Sequence, residues 1–130
     1  MNRQEIDIYV ATAKGVYLYE AKQHSLKVIA AGDLRGLTGK QDYVKDAAVN
    51  LIYVADYSKM SAASDQVKEF YAAADTGFIS ENVYLYCASA GLATVVRAYI
   101  DIPQLSKAIK LRADQKIILA QSVGYGKSGR

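Results

Sequence analysis

Tryptophan is absent from this 130-residue chain, and cysteine, histidine and proline occur once each. A single cysteine, Cys87, excludes an internal disulfide and points to a reducing compartment. One histidine and one cysteine cannot make a conventional zinc ligand set, nor a histidine-based nucleophilic triad with a second candidate to spare. No apolar run is long enough to cross a bilayer, and no apolar segment of signal-peptide type follows Met1-Asn2-Arg3-Gln4-Glu5. The expectation is a cytoplasmic chain with no membrane partner. Phosphate-loop and paired-glycine dinucleotide fingerprints are missing too. Gly36-Leu-Thr-Gly-Lys40 has neither the full spacing nor a strand before it.

What remains is ample for one folded domain. Hydrophobic residues make up 52% of the chain, and eleven tyrosines stand against two phenylalanines. Tyrosine buries a ring while keeping a polar tip for water or a ligand, so sheet and interface packing accounts for most of them. Sixteen basic and thirteen acidic residues leave a net charge of +3, interspersed along the chain rather than gathered in a stripe. That argues against a nucleic-acid partner, which would call for clustered Lys and Arg beside an aromatic sheet face. His24 falls in a polar turn and reads as solvated, and Asp42, Asp46 and Asp56 read as loop carboxylates rather than a catalytic cluster.

Hydrophobic alternation places strands at residues 6–10, 16–19 and 26–29, with Lys14-Gly15 marking a hairpin turn. Asp33 is positioned to cap a short helical turn through Leu37. Residues 48–55 are continuously apolar, as suits a central strand covered on both faces. Ser64-Asp65 opens a helix that Gly77 should break or bend. A second, fully buried helix is expected over residues 80–91, stopped by Gly91, because glycine takes the left-handed C-terminal conformation without strain. Small residues at 88–91 allow close approach of another helix or a ligand. Residues 95–100 read as a strand. Asp101 and Pro103 cap and start a short helix with Leu105, Ala108 and Ile109 on its apolar side, and Arg112-Ala-Asp-Gln115 leads into the final strand. No repeat or interdomain linker is visible. The fold class expected is α+β in a single domain, a mainly antiparallel sheet flanked by helices.

Three segments, in order and at the right spacing, resemble the FMN-dependent nitroreductase family. Asn82-x-x-Leu85-x-x-x-Ser89-Ala90-Gly91-Leu92-Ala93-Thr94-Val95 looks like its central helix and following strand. Asn2-Arg3-Gln4 before Ile6-Asp7-Ile8-Tyr9-Val10 is similar to its Asn-x-Gln entry into a long strand, and Ile117 to Tyr125 resembles its last strand with a Val-Gly-Tyr ending.

The resemblance implies a homodimer with FMN at the subunit interface, NAD(P)H as reductant, and a nitro-aromatic, quinone or related small molecule as electron acceptor. It implies cofactor contacts at Val95, Val96, Arg97 and Ala98, where the chain would run along the isoalloxazine edge with the Arg97 backbone amide directed at N5. Ala98 stands where many members have glycine. Lys127 matches a basic tail residue near the flavin phosphate, and Asn2 a contact across the dimer. No side-chain acid or base is implied, so no catalytic residue is named. In the family a helical region that supplies phosphate contacts precedes the first strand, whereas this sequence enters that strand almost at once. The expectation is therefore a form without that region. The competing reading is an inactive, half-length dimerisation domain with weak flavin binding or none.

Overall fold

The computed structural model describes residues 5–60 and 64–125. Six strands form one sheet in the order β3-β2-β1-β4-β6-β5, and every neighbouring pair is antiparallel. The strands are β1 (Ile6–Ala11), β2 (Gly15–Glu20), β3 (Ser25–Ala31), β4 (Val49–Asp56), β5 (Ala93–Arg97) and β6 (Gln115–Gly124). Two helices, α1 (Asp65–Ala90) and α2 (Ile102–Ala108), and short 3-10 turns at Arg35–Thr38, Asp42–Lys45 and Tyr57–Lys59 complete it. The α+β class read from the sequence is the class observed. β3 and β5 are the two edges of the sheet.

Directly opposed residues in an antiparallel sheet share a face. One row therefore runs Arg97, Ala120, Ile52, Tyr9 and Leu18, and its neighbour runs Val95, Ser122, Asn50, Ala11 and Val16. On this face Tyr9, Ala11, Val16, Ile52 and Val54 form a core with Leu105 and Ile109 from the α2 segment and with Leu34 and Leu37. The other face carries Tyr53 and Gln121, and α1 lies against β5, β6 and β1. The continuous apolar run of β4 follows from its place: it is interior in the sheet and buried from Ile52 to Asp56.

α1 is a single helix of 26 residues, about 39 Å long at 1.5 Å per residue. Ser64 caps it, its side chain accepting from the Val67 N–H, and Gly91 ends it in the left-handed region at φ 75°. Gly77 does not break it. One glycine costs a helix interior only about 1 kcal/mol, too little to interrupt a helix packed on a sheet. Nor is the stretch from residue 80 to 91 fully buried: Ser80 and Cys87 face the protein, while Leu85 and Tyr86 are exposed. In the single chain only one side of the helix is covered.

The strand expected at 95–100 runs instead from Ala93 to Arg97. The Tyr99 carbonyl accepts the Lys40 N–H at 2.9 Å, which draws the chain off the sheet, and Asp101 then caps α2 through the Gln104 N–H. Asp33 does not cap a helix either. Its carboxylate takes the Arg35 N–H and guanidinium.

Asp56, at the end of β4, accepts from the Ser58 N–H and hydroxyl and from the Arg112 guanidinium at 3.0 Å, joining β4 to the approach of β6. Burial pushes its pKa up, but the bonds from Ser58 and Arg112 outweigh this and hold the carboxyl below its ordinary value. A depressed folded-state pKa stabilises above the unfolded value, near 3.9, and that stabilisation is lost as pH falls through the folded one. Asp56→Asn should therefore cost about 1 kcal/mol at pH 7, modest because Arg112 is exposed. Chemical denaturation should show the gap from wild type closing as pH falls below 4.

Candidate functional site

The chain fills its interior beside β5 with a buried polar cluster rather than with more hydrocarbon. Arg97 is 5% exposed. Its Nε donates to Ser122 Oγ at 2.9 Å, and Nη2 donates to Thr38 Oγ1 at 3.0 Å and Asn50 Oδ1 at 2.6 Å. Nη1 donates to the Thr38 carbonyl. Ser122 Oγ–H donates in turn to Asn50 Oδ1 at 2.6 Å, and Asn50 Nδ2 donates to the Val44 carbonyl at 2.7 Å. Burial pushes the Arg97 pKa down, with the Tyr43 phenol as a weaker opposing influence. The guanidinium stays charged, since arginine does not lose its proton in proteins.

This cluster clamps the 35–48 segment onto the sheet. Thr38 donates to the Arg35 carbonyl at 2.8 Å, and Arg35 Nη1 donates to the Ala47 carbonyl at 2.9 Å. The clamped segment and β5 then enclose a hollow of about 660 Å³, lined by residues that include Tyr43, Asp46, Val95, Ser122 and Tyr125. A larger cleft of about 1140 Å³ lies across β1–β3, with Phe78 of α1 and Arg112 among its walls.

The backbone of the β5 edge sorts its donors by register. The Val96 N–H points away from β6 and donates to Tyr84 Oη at 2.8 Å. N–H groups alternate sides along a strand, so those of Val95 and Arg97 turn towards β6. The Arg97 amide, which the resemblance assigns as a cofactor donor, thus lies on the side of β5 that faces β6. The Ala98 N–H comes next and finds no hydrogen-bond partner among the described residues. Ala98 and Tyr99 are exposed, with Lys40 Nζ lying 5.1 Å from the centre of the Tyr99 ring.

Val95, Val96, Arg97 and Ala98 are thus brought to one edge, while Asn2 and Lys127 lie outside the described residues. Sequence reading missed Thr38, Asn50, Ser122 and Tyr84. Asn50 interrupts the otherwise apolar run of residues 48–55, which was the one available signal. Asp46 and Asp56 are not brought together, because β4 alone separates them by roughly 25 Å. Cys87 is buried, as its apolar surroundings implied. Among the described residues no His, Cys, Asp and Glu group is placed to hold a metal, and no helix is long and apolar enough to cross a membrane.

Gly39 tests the clamp. A Cβ there would run into Arg97 Nη1, although its extended backbone suits any residue. Gly39→Ala should destabilise the fold by about 1–3 kcal/mol through overpacking. Gly91→Ala has open space around it and should lose only about 1 kcal/mol, from backbone strain. Thermal melts of the two variants give the comparison.

The description of the nitroreductase family matches residues 1–125. A crystal structure from Ralstonia eutropha assigned as a nitroreductase superposes with a TM-score of 0.89 at 41% identity, covering 96% of this chain and 60% of the other. An Escherichia coli microcin synthetase complex matches at 0.85 with 18% identity, over 97% of this chain and 53% of the other. The NADPH:FMN oxidoreductase of Vibrio harveyi, complexed with NAD+, matches at 0.69 with 19% identity, over 98% and 53%. The chain thus spans 60% or less of the length of each of these three structures. No curated protein matches the sequence. A family match over nearly every residue, joined to this sheet order and β5 edge, makes the chain a member of the nitroreductase family.

Proposed function

We propose that this chain forms the core of an FMN-dependent oxidoreductase that moves reducing equivalents from NAD(P)H to a nitro-aromatic, quinone or similar acceptor. The observation that carries the reading is the β5 edge: an exposed stretch of backbone with an open N–H at Ala98, on a strand fixed from behind by the Arg97 clamp. The open Ala98 N–H suits the rim of a flavin, which presents hydrogen-bond acceptors and gains electron density on reduction. A bound flavin would supply the redox centre. The protein's own part is orientation and exclusion of water. Ala98 would hold the ring edge through its amide, Val95 and Val96 would line it, and Arg97 would keep the strand rigid. Asn2 and Lys127 are the proposed contacts to the rest of the cofactor.

A second copy of the chain belongs to this reading. α1 leaves Phe70, Phe78, Leu85 and Tyr86 each more than 60% exposed, with Phe78 and Leu85 seven residues apart on one side. An apolar stripe of that size on a soluble surface is a contact surface. We place the partner copy there, with its α1 against this one.

Titration with FMN should give saturable binding at micromolar concentration or tighter, together with flavin-dependent oxidation of NAD(P)H. A sample left colourless once unbound FMN has been removed would favour a dimerising domain without redox chemistry. For the interface, sedimentation of the wild type at micromolar concentration should give a dimer and Leu85→Glu a monomer. A wild-type monomer would remove the partner from the proposal.

A further inference from the structure

The most unusual group among the described residues is the Arg97 guanidinium, because it is buried and every hydrogen-bond partner described for it is neutral. Its hydrogen bonds end on one carbonyl, two hydroxyls and one carboxamide, all neutral. The ion pairs among the described residues lie elsewhere: Arg35 with Asp33, Lys59 with Asp7, and Arg112 with Asp56 and Asp114. Buried charges are ordinarily paired. The guanidinium supplies the four donations this cluster uses, more than a neutral side chain carries, and brings a positive charge with them. The retained charge asks for a function, and its position suggests one. Arg97 adjoins Ala98, whose amide is the open donor of the β5 edge, so the residue that carries the buried charge is the one that leads the chain to that donor. A charge anchored under that edge, away from water and mobile ions, is poorly screened.

We infer that Arg97 tunes the redox balance of the site, favouring the reduced and more negative form of a flavin held at the β5 edge. The inference rests on the flavin reading above. Reduction by NAD(P)H transfers two electrons and one proton as hydride, which leaves the bound ring one unit more negative until a further proton arrives. A fixed positive charge nearby stabilises that product over the oxidised ring, for the reason an adjacent cation favours any ionised neighbour. Arg97 acts here as a positioning residue. It need not touch the flavin, since its hydrogen bonds already go to Thr38, Asn50 and Ser122.

The test compares three variants of the FMN-loaded chain by midpoint potential and by affinity for oxidised and reduced FMN. Arg97→Lys keeps the charge, Arg97→Gln removes it, and Asn50→Asp leaves Arg97 in place but sets a carboxylate against it. Arg97→Gln and Asn50→Asp should each lose about tenfold in affinity for reduced relative to oxidised FMN. That equals a fall of about 30 mV for a two-electron couple. Arg97→Lys should stay within about threefold of wild type. An unchanged potential in Asn50→Asp overturns the inference, as does a fall in Arg97→Lys equal to that in Arg97→Gln, which would make the effect one of shape. If Arg97→Gln does not fold, Asn50→Asp decides. Failure of the wild type to bind FMN overturns the flavin reading itself, a result distinct from binding with an insensitive potential.

Discussion

The structure depends on how one buried cation is satisfied. Four neutral oxygens from Thr38, Asn50 and Ser122 receive the Arg97 guanidinium, and they come from three separated parts of the chain. Those parts are a 3-10 turn, the central strand β4 and the last strand β6. Once they converge, the 35–48 segment is fixed over the sheet, the hollow beside β5 has its second wall, and the β5 backbone has its course. A hydrogen bond to a charged group contributes about 1.5–3 kcal/mol, and a buried partner left unpaired costs a similar amount. The cluster therefore behaves as a unit: removing any member exposes the others to that cost.

The two faces of the sheet share the work in different ways. The face towards α2 combines an ordinary aliphatic core with the arginine cluster. The face towards α1 is held by a neutral chain, in which Tyr53 Oη–H donates to Gln121 Oε1, Gln121 Nε2 donates to Thr94 Oγ1, and Thr94 Oγ1–H donates to the Ser122 carbonyl. Burial pushes the Tyr53 phenol far up, so it remains a donor across the working pH range. Both chains meet at Ser122, through its side chain on one face and its carbonyl for the other. β5, an edge strand with only one neighbour, is thus stiffened from above and below as well as by its ladder to β6.

Much of the architecture could be read from local chemistry. Alternating residues set the strands, Ser64, Asp101 and Pro103 set two helix starts, and Gly91 set a helix end. Where reading failed, the deciding interaction was long-range. Gly77 carries a breaker's propensity, but packing of a continuous helix outweighs it. The end of β5 is set by a bond from Lys40, some sixty residues away in sequence. The candidate edge was legible only through likeness to a family, and which of its amides face outward depends on the register with β6, because side alternates strictly along a strand. Of the partners of Arg97 only Asn50, a polar residue in an apolar run, stood out; nothing local in Thr38 or Ser122 announces a guanidinium 59 or 25 residues distant.

The opposite margin of the sheet carries a different consequence. Among the described residues β3 has no strand beyond it, and Leu26 and Val28 are 52% and 65% exposed. Such a ribbon is a template on which a stray extended peptide can stack, and stacking of this kind seeds insoluble material. Lys27, set between the two apolar residues, is the charge that interrupts it, in the way gatekeeper lysines guard unavoidable hydrophobic margins. One ammonium group, on the margin opposite the β5 edge, is thus placed to oppose such stacking.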